Sequence, residues 1–378
     1  MRQLRHIDAD AAHGRLTFAR DTGFHGEVKR RVHAYFERTG LSERDSPRMY
    51  LKTAVLLLWF GASYALLVFG AATLWQGALL SLSLGLAMAG IGCAIQHDAN
   101  HGAYSRRAAV NRVMGMTLDM LGASSYLWRF KHNLAHHTYT NLVGADDDIN
   151  FLPFARLSPA QPRLRLHHLQ QFYMWALYWF LFPKWNFVDD FKTLKQGRIS
   201  GHQFPRPRGA LLVQLVAGKL LFIAWAFGVP LLFHSWWVVL LFYATTSLVL
   251  GTALAVVFML AHCVEEAEFP ELPETARLPR SWAVHQVQTT VDFARGNRLL
   301  TWYVGGLNFQ IEHHLFPHIC HVHYPRIAEI VQGACVEFGV RYTAHASFIG
   351  ALASHWRWLR RMGQPLATAS AVVAATGV

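Results

Sequence analysis

Seven histidines fall in three short clusters: His97 and His101 in HDANH, His132, His136 and His137 in HNLAHH, and His313 and His314 in QIEHH. Where the flanking segments are helical, spacings of three and four put side chains on one face, so each cluster can aim its imidazoles at a common point. Neutral imidazole suits iron, zinc or copper. A tetrahedral zinc has room for only four ligands, so a set of seven predicts two metals.

The elements that must carry these side chains are largely apolar. Of 378 residues 53% are hydrophobic, and several uncharged runs approach the length that crosses a bilayer. Four spans are expected, at about 53–73, 76–96, 211–233 and 236–261. The chain therefore reads as an all-α integral membrane protein whose spans form two tight hairpins. The turn near Leu74 and Trp75 and the turn at His234 and Ser235 lack Lys and Arg. The positive charge lies instead in the N-terminal arm, in 106–208 and in the C-terminal third. The positive-inside rule then puts those regions, and both termini, in the cytoplasm. The net charge of +12 is accordingly read as membrane orientation and not as nucleic-acid binding. Lys219, the exception, is expected to snorkel toward the same face.

Between the second and third clusters the chain crosses the membrane an even number of times, so all three return to one side and can share a cytoplasmic helical cap. His97 follows the second span, and His262 follows the fourth in the same way. The aromatic stretch Phe172 to Phe182 is too short to span and predicts an interfacial helix; Val110 to Leu127 reads as a partly embedded one. His167 and His168, beside Arg163 and Arg165, are expected to meet lipid headgroups. The polar first fifty residues hold no apolar core of a signal peptide. Cys93, Cys263, Cys320 and Cys335 form no CxxC pair and read as reduced thiols. The small-residue stretch from Pro365 to Val378 reads as a tail.

In HxxxH, HxxxHH and QxxHH, in this order between paired spans, the chain resembles the membrane fatty acid desaturases. Gln310 in NFQIEHHLFP makes it similar to the front-end and acyl-lipid type, and HDANHGAYS and HNLAHHTYTN are similar to bacterial linoleoyl-CoA or delta-6-like members. The resemblance covers roughly 50–342, flanked by an N-terminal arm, 1–49, and a C-terminal helix and tail, 343–378. It implies a non-haem di-iron centre that uses O2 to remove two hydrogens from a fatty acyl chain in the lipid bilayer. The ligands it implies are His97, His101, His132, His136, His137, His313 and His314, with His262 after the fourth span. Gln310 is a poor iron ligand and is expected to act through water or a neighbour. Asp98, Glu312 and the run Asp146 to Asp148 are candidate acceptors for imidazole N–H groups. His318, His321 and His323 are expected to have surface or packing roles.

No His-Pro dipeptide of a fused haem domain occurs, no iron–sulfur cysteine pattern is present, and Gly90 and Gly92 lie in an apolar run without a third glycine. An external electron donor, a ferredoxin or cytochrome b5 with its reductase, is therefore expected, docking on the basic cytoplasmic face of a bacterial inner-membrane protein. Two alternatives stand beside desaturation. A hydroxylase would use the same scaffold, whereas a metal transporter would carry its ligands within the spans near the midplane instead of beside them.

Overall fold

The computed structural model describes residues 16–273 and 275–365, so the expected tail beyond Pro365 and the first fifteen residues of the arm lie outside the described residues. The fold is mostly helical, and among the described residues the strands are three pairs of two-residue segments. Two pairs are parallel, Thr17–Phe18 with Arg277–Leu278 and Asp292–Phe293 with Ala344–His345; Arg198–Ile199 pairs antiparallel with His202–Gln203.

Among the described residues, four helices are long and apolar enough to cross a membrane. With the preceding Phe24–Thr39 as α1, the first two are α2 (Pro47–Gly70) and α3 (Leu74–Asn100). α2 begins earlier than the apolar run because Pro47, whose fixed φ suits a first helical turn, opens it after the extended Ser46. α3 starts at a capping box. The Thr73 hydroxyl accepts from the Gln76 amide, and the Gln76 side chain accepts from the Thr73 amide. It also runs on past the expected end at Gln96, so His97 lies inside its last turns and not after them. At ~1.5 Å per residue its 27 residues reach about 40 Å, enough to cross the hydrocarbon and project beyond it.

Downstream come α4 (Ala108–Gly115), α5 (125–139), α6 (Gln170–Trp179), α7 (Ala210–Leu231) and α8 (Trp236–His262). The stretch expected as one embedded helix at 110–127 is instead broken, with Gly122 in the left-handed region after Thr117–Met120. α6 is followed at once by Leu181–Lys184, so the aromatic stretch 172–182 is helical over most of its length.

The four spans are unequal. The buried shares of α3 and α8 are 67% and 50%, against 28% and 17% for α2 and α7, so α3 and α8 form the centre of the group. They approach closely at Gly85, where a Cβ would lie 2.8 Å from the Thr246 carbonyl. His234 Nε2 lies 2.8 Å from the Val68 carbonyl, tying the turn before α8 to the end of α2. Lys219 reaches toward the segment 106–208, and its partners there are protein groups. Its ammonium donates to the carbonyls of Gly122 and Asn186 and to Asp190 at 2.6 Å, which satisfies the charge inside the protein.

After the fourth span come α9 (Trp282–Thr289), α10 (Arg298–Tyr303), α11 (Gln310–Leu315), α12 (Tyr324–Phe338) and α13 (Phe348–Gly363). Phe24, Val28, Val32 and Phe36, at the four-residue spacing of a buried helix face, share one core with Val287, Ile311, Ile327 and Val331. That core braces the third histidine cluster from the side away from the spans.

Candidate metal centre

Each histidine pair sits where one element ends against another. His97 lies in the last turns of α3 and His101 just beyond them; His262 is the last residue of α8; His313 and His314 lie in α11. In α5 the segment Arg129–His136 is a π-helical turn. Its wider i→i+5 ring brings the five-apart pair His132 and His137 to one side, with Nε2 atoms 3.2 Å apart, while His136 stays beside them. A second π turn, Ile91–Gln96, precedes His97 and re-aims the end of α3.

All eight histidines are buried and converge. One ligand nitrogen from each of His97, His101, His132 and His313 lies within 4.8 Å of the others, and the same holds for His136, His262 and His314. His137 joins the two sets through a third such group with His313 and His314, and its ring stacks on His314 at 4.3 Å. Two adjoining pockets of nitrogen donors result.

The donors are also unpaired. Nε2 of His101, His136, His313 and His314, Nδ1 of His137 and both ring nitrogens of His262 are buried without a hydrogen-bond partner. A buried orphan nitrogen is costly, and several at one point call for a ligand that accepts lone pairs. The set therefore fits metal ions. Burial, followed by the crowding of neighbouring imidazoles, holds His101, His132, His137, His313 and His314 well below the usual histidine range, so they are neutral and ready to coordinate. His136 is the exception. Burial opposes its charge, but the Asp146 carboxylate and the hydrogen bond to it, with Asp148 nearby, hold its pKa above the usual value.

The outer contacts fix tautomers. His136 Nδ1 donates to Asp146 at 3.0 Å and His314 Nδ1 donates to the Gln286 side-chain carbonyl at 2.8 Å, leaving both Nε2 atoms for a metal. Thr140 bonds both the His136 carbonyl and Gln286, at 2.7 and 2.8 Å. His313 Nδ1 lies 3.2 Å from the Tyr324 hydroxyl, and the Trp128 ring stacks on His132 at 4.3 Å. Of these, the sequence reading named only Asp146. Gln286 and Thr140 arrive from distant segments with no motif, and Tyr324 looks like an ordinary start of α12.

Other expectations are redirected. Asp98 accepts no hydrogen bond from a ligand histidine; it takes the N–H of His321 at 2.8 Å, and Lys52 donates to the other nitrogen of His321 at 2.6 Å. His321 is thus a buried member of an ionic chain, not a surface group. Glu312 turns from the centre to Tyr342 and Asp292, and burial, with the Asp292 charge next, raises its pKa well above the carboxylate range. Gln310 opens α11, buried, and takes no part in the hydrogen bonds that orient the histidines. Asp148 pairs with Lys131 at 2.6 Å and lies 3.8 Å from His136, whereas Asp147 accepts from the Ser200 amide. His318 is exposed, its Nδ1 2.6 Å from the His101 carbonyl, and His323 packs edge-on against Phe36. His167 is buried, and its ring bonds Pro153 and Leu164 instead of reaching headgroups.

The family model described as fatty acid desaturase matches residues 72–346. The chain is 42% identical over 357 residues to the sn-1 linoleoyl-lipid 6-desaturase of Arthrospira platensis, covering 92% of this chain and 95% of that protein. It is 40% identical over 353 residues to the protein of the same name from a Synechocystis species, covering 93% and 98%. An acyl-lipid (8-3)-desaturase of Physcomitrium patens is 37% identical over 349 residues, covering 91% of this chain and 72% of that protein.

Proposed function

The chain belongs to the fatty acid desaturase family and is a membrane-bound oxidoreductase of its front-end acyl-lipid branch, and from that premise we propose how its parts divide the work. The eight buried histidines His97, His101, His132, His136, His137, His262, His313 and His314 hold two iron ions, as two adjoining sets of unpaired nitrogens. That convergence is the observation that carries the proposal. Iron with O2 supplies the oxidant that an unactivated methylene requires, because such a carbon has no acidic proton and no leaving group.

The protein's own contributions are binding, orientation and exclusion. Asp146 and Gln286 hold the rings of His136 and His314 in the tautomer that presents Nε2. Burial keeps bulk water from the centre, and an acyl chain placed against it is confined, so geometry decides which carbons react. Removing one hydrogen from each of two neighbouring carbons while O2 becomes two waters consumes two electrons and two protons. Those electrons come from an external ferredoxin or cytochrome b5 system, since the histidine set is the redox-capable cluster the sequence offers.

In the proposed topology α2 with α3 and α7 with α8 form two hairpins, and the cap, the metal centre and both termini face the cytoplasm of a bacterial inner membrane. Charge-free turns at both hairpins support this orientation. The acyl-lipid relatives support a substrate whose acyl chain stays on a membrane lipid, with the new cis double bond placed between the carboxyl end and an existing one. The test is lipid analysis of a host rich in linoleoyl lipids that expresses this chain. Appearance of an added double bond on that side, abolished by His136→Ala, is expected. A hydroxylated product or unchanged lipids would refute the proposal.

A further inference from the structure

Four helices meet the length and apolarity of a span, but a fifth segment reaches into the same layer. Downstream of the exposed Gly296, α10 and the turn after it lie against the spans instead of over them. The Tyr303 hydroxyl donates to the Leu86 carbonyl at 2.9 Å, and Leu86 lies near the middle of α3. The Tyr303 ring also faces Trp59 of α2 at 6.3 Å. Gly305 rests on the α3 backbone. A Cβ there would lie 2.4 Å from the Cys93 carbonyl, and the residue has a φ of +61°, so the close approach requires glycine on both counts.

We infer that 297–306 is a re-entrant segment that dips into the bilayer beside α2 and α3, with Leu299 and Trp302 in direct contact with lipid acyl chains. Re-entrant backbone is tolerated at membrane depth only where protein satisfies it, and here it is helical or packed on a span. Leu299 is 77% exposed and Trp302 37% exposed, although both belong to a short helix whose last residue, Tyr303, is bonded to the middle of a span. Four residues of helix separate Leu299 from Tyr303, a rise of about 6 Å, which keeps Leu299 within reach of the acyl region. Lys52, 5.4 Å from the Trp302 ring centroid, is directed inward to His321, and the exposed Arg298 stands at the first position of α10, where its long side chain can reach the headgroup layer. The segment leads within a few residues into the third histidine cluster, and its lipid contact therefore lies beside the centre that must receive an acyl chain from the bilayer.

The inference rests on the membrane placement, and single cysteines separate the two. The four native cysteines are buried, so an introduced thiol dominates labelling by a membrane-impermeant maleimide. Leu299→Cys would be compared with Gly296→Cys, exposed and with open space around an added Cβ, and with Leu58→Cys, 73% exposed on α2. Measurement is made in membrane vesicles with the cytoplasmic side outward. Since the protein itself leaves Leu299 open, only lipid can shield it. Labelling of Leu299→Cys at least about tenfold slower than Gly296→Cys, with Leu58→Cys equally shielded, is the expected result. Leu299→Cys labelling as fast as Gly296→Cys while Leu58→Cys stays shielded overturns the re-entrant segment alone. Fast labelling of all three overturns it together with the membrane placement.

Discussion

The two halves of the histidine centre are supported differently. Around His136, His262 and His314 the outer contacts are polar: a carboxylate on His136, an amide carbonyl on His314, and Asn141 donating to the backbone carbonyl of His262 at 2.9 Å. Around His97, His101, His132 and His313 the direct supports are aromatic or weakly polar, and the nearest carboxylate, Asp148, stands 3.9 Å from His132 Nδ1, beyond hydrogen-bond distance. Trp128 stacks on His132, a phenol meets His313, and His318 holds the carbonyl of His101. A ring N–H given to a carboxylate makes the opposite nitrogen a stronger donor. The His136 half is therefore expected to bind its metal more tightly, and the other half to exchange it more readily.

Removing a ligand from the tighter half should give the largest effect. His262→Ala is expected to abolish product and to lower bound iron by about as much as loss of a cluster histidine such as His136, because either leaves the smaller set of three donors incomplete. Elemental analysis and product assay check it. Full iron with near-normal product would show that the three clusters suffice and that His262 is a packing residue.

Asp146→Asn tests the asymmetry itself. The side chain keeps its shape and an acceptor oxygen but loses the charge that polarises His136. Outer contacts of this kind are worth roughly 10- to 100-fold in metal affinity or activity. A loss in that range is expected by metal titration, confined to one of the two metals. An equal loss from both would break the distinction between the halves.

These supports show what the sequence discloses and what it does not. The clusters HDANH, HNLAHH and QIEHH announce their chemistry because metal ligation demands particular side chains at short spacing. The four spans are equally legible, since apolar length is a direct consequence of the bilayer; their ends moved by a few residues where Pro47 and the Thr73 capping box set them. His262, singled out by its place at the end of the fourth span, lies with its ring centroid 4.7 Å from that of His136. What stayed hidden was long-range. Gln286 and Tyr324 act only after the chain folds across itself, and the π turns carry no composition signal. Asp98, a candidate acceptor for the N–H of a ligand imidazole, accepts instead from His321, 223 positions away.

Acid should weaken the metal-free protein. His101, His132, His137, His313 and His314 have folded pKa values well below the unfolded value of 6.5. Below that value the unfolded chain takes up protons that the folded centre refuses, so stability falls as pH drops. His136 has the opposite sign: its raised pKa contributes stability below 6.5 that is lost as pH rises through the raised value. The buried Glu312, raised well above the carboxylate range, acts in the same sense as His136, but five groups oppose these two, and the melting temperature of the metal-free protein is expected to fall between about pH 7 and pH 5. A flat or rising profile would mean that the imidazoles are solvated in the metal-free state.

The smallest effect is expected at Tyr324, whose hydroxyl lies within hydrogen-bond distance of a ring nitrogen in the looser half. Tyr324→Phe removes the hydroxyl 3.2 Å from His313 Nδ1 and leaves the ring in its buried place in the core below α11. A neutral hydrogen bond of this length contributes about 1 kcal/mol, roughly a fivefold change, well short of what loss of the Asp146 charge should cause. His313 also remains held by its helix and by the His97 ring at 4.4 Å, so its aim should change little. Metal titration of the two variants side by side measures the difference. If Tyr324→Phe weakens metal binding as much as Asp146→Asn does, the phenol and the carboxylate are equivalent supports, and the two halves of the centre do not differ in the way their contacts imply.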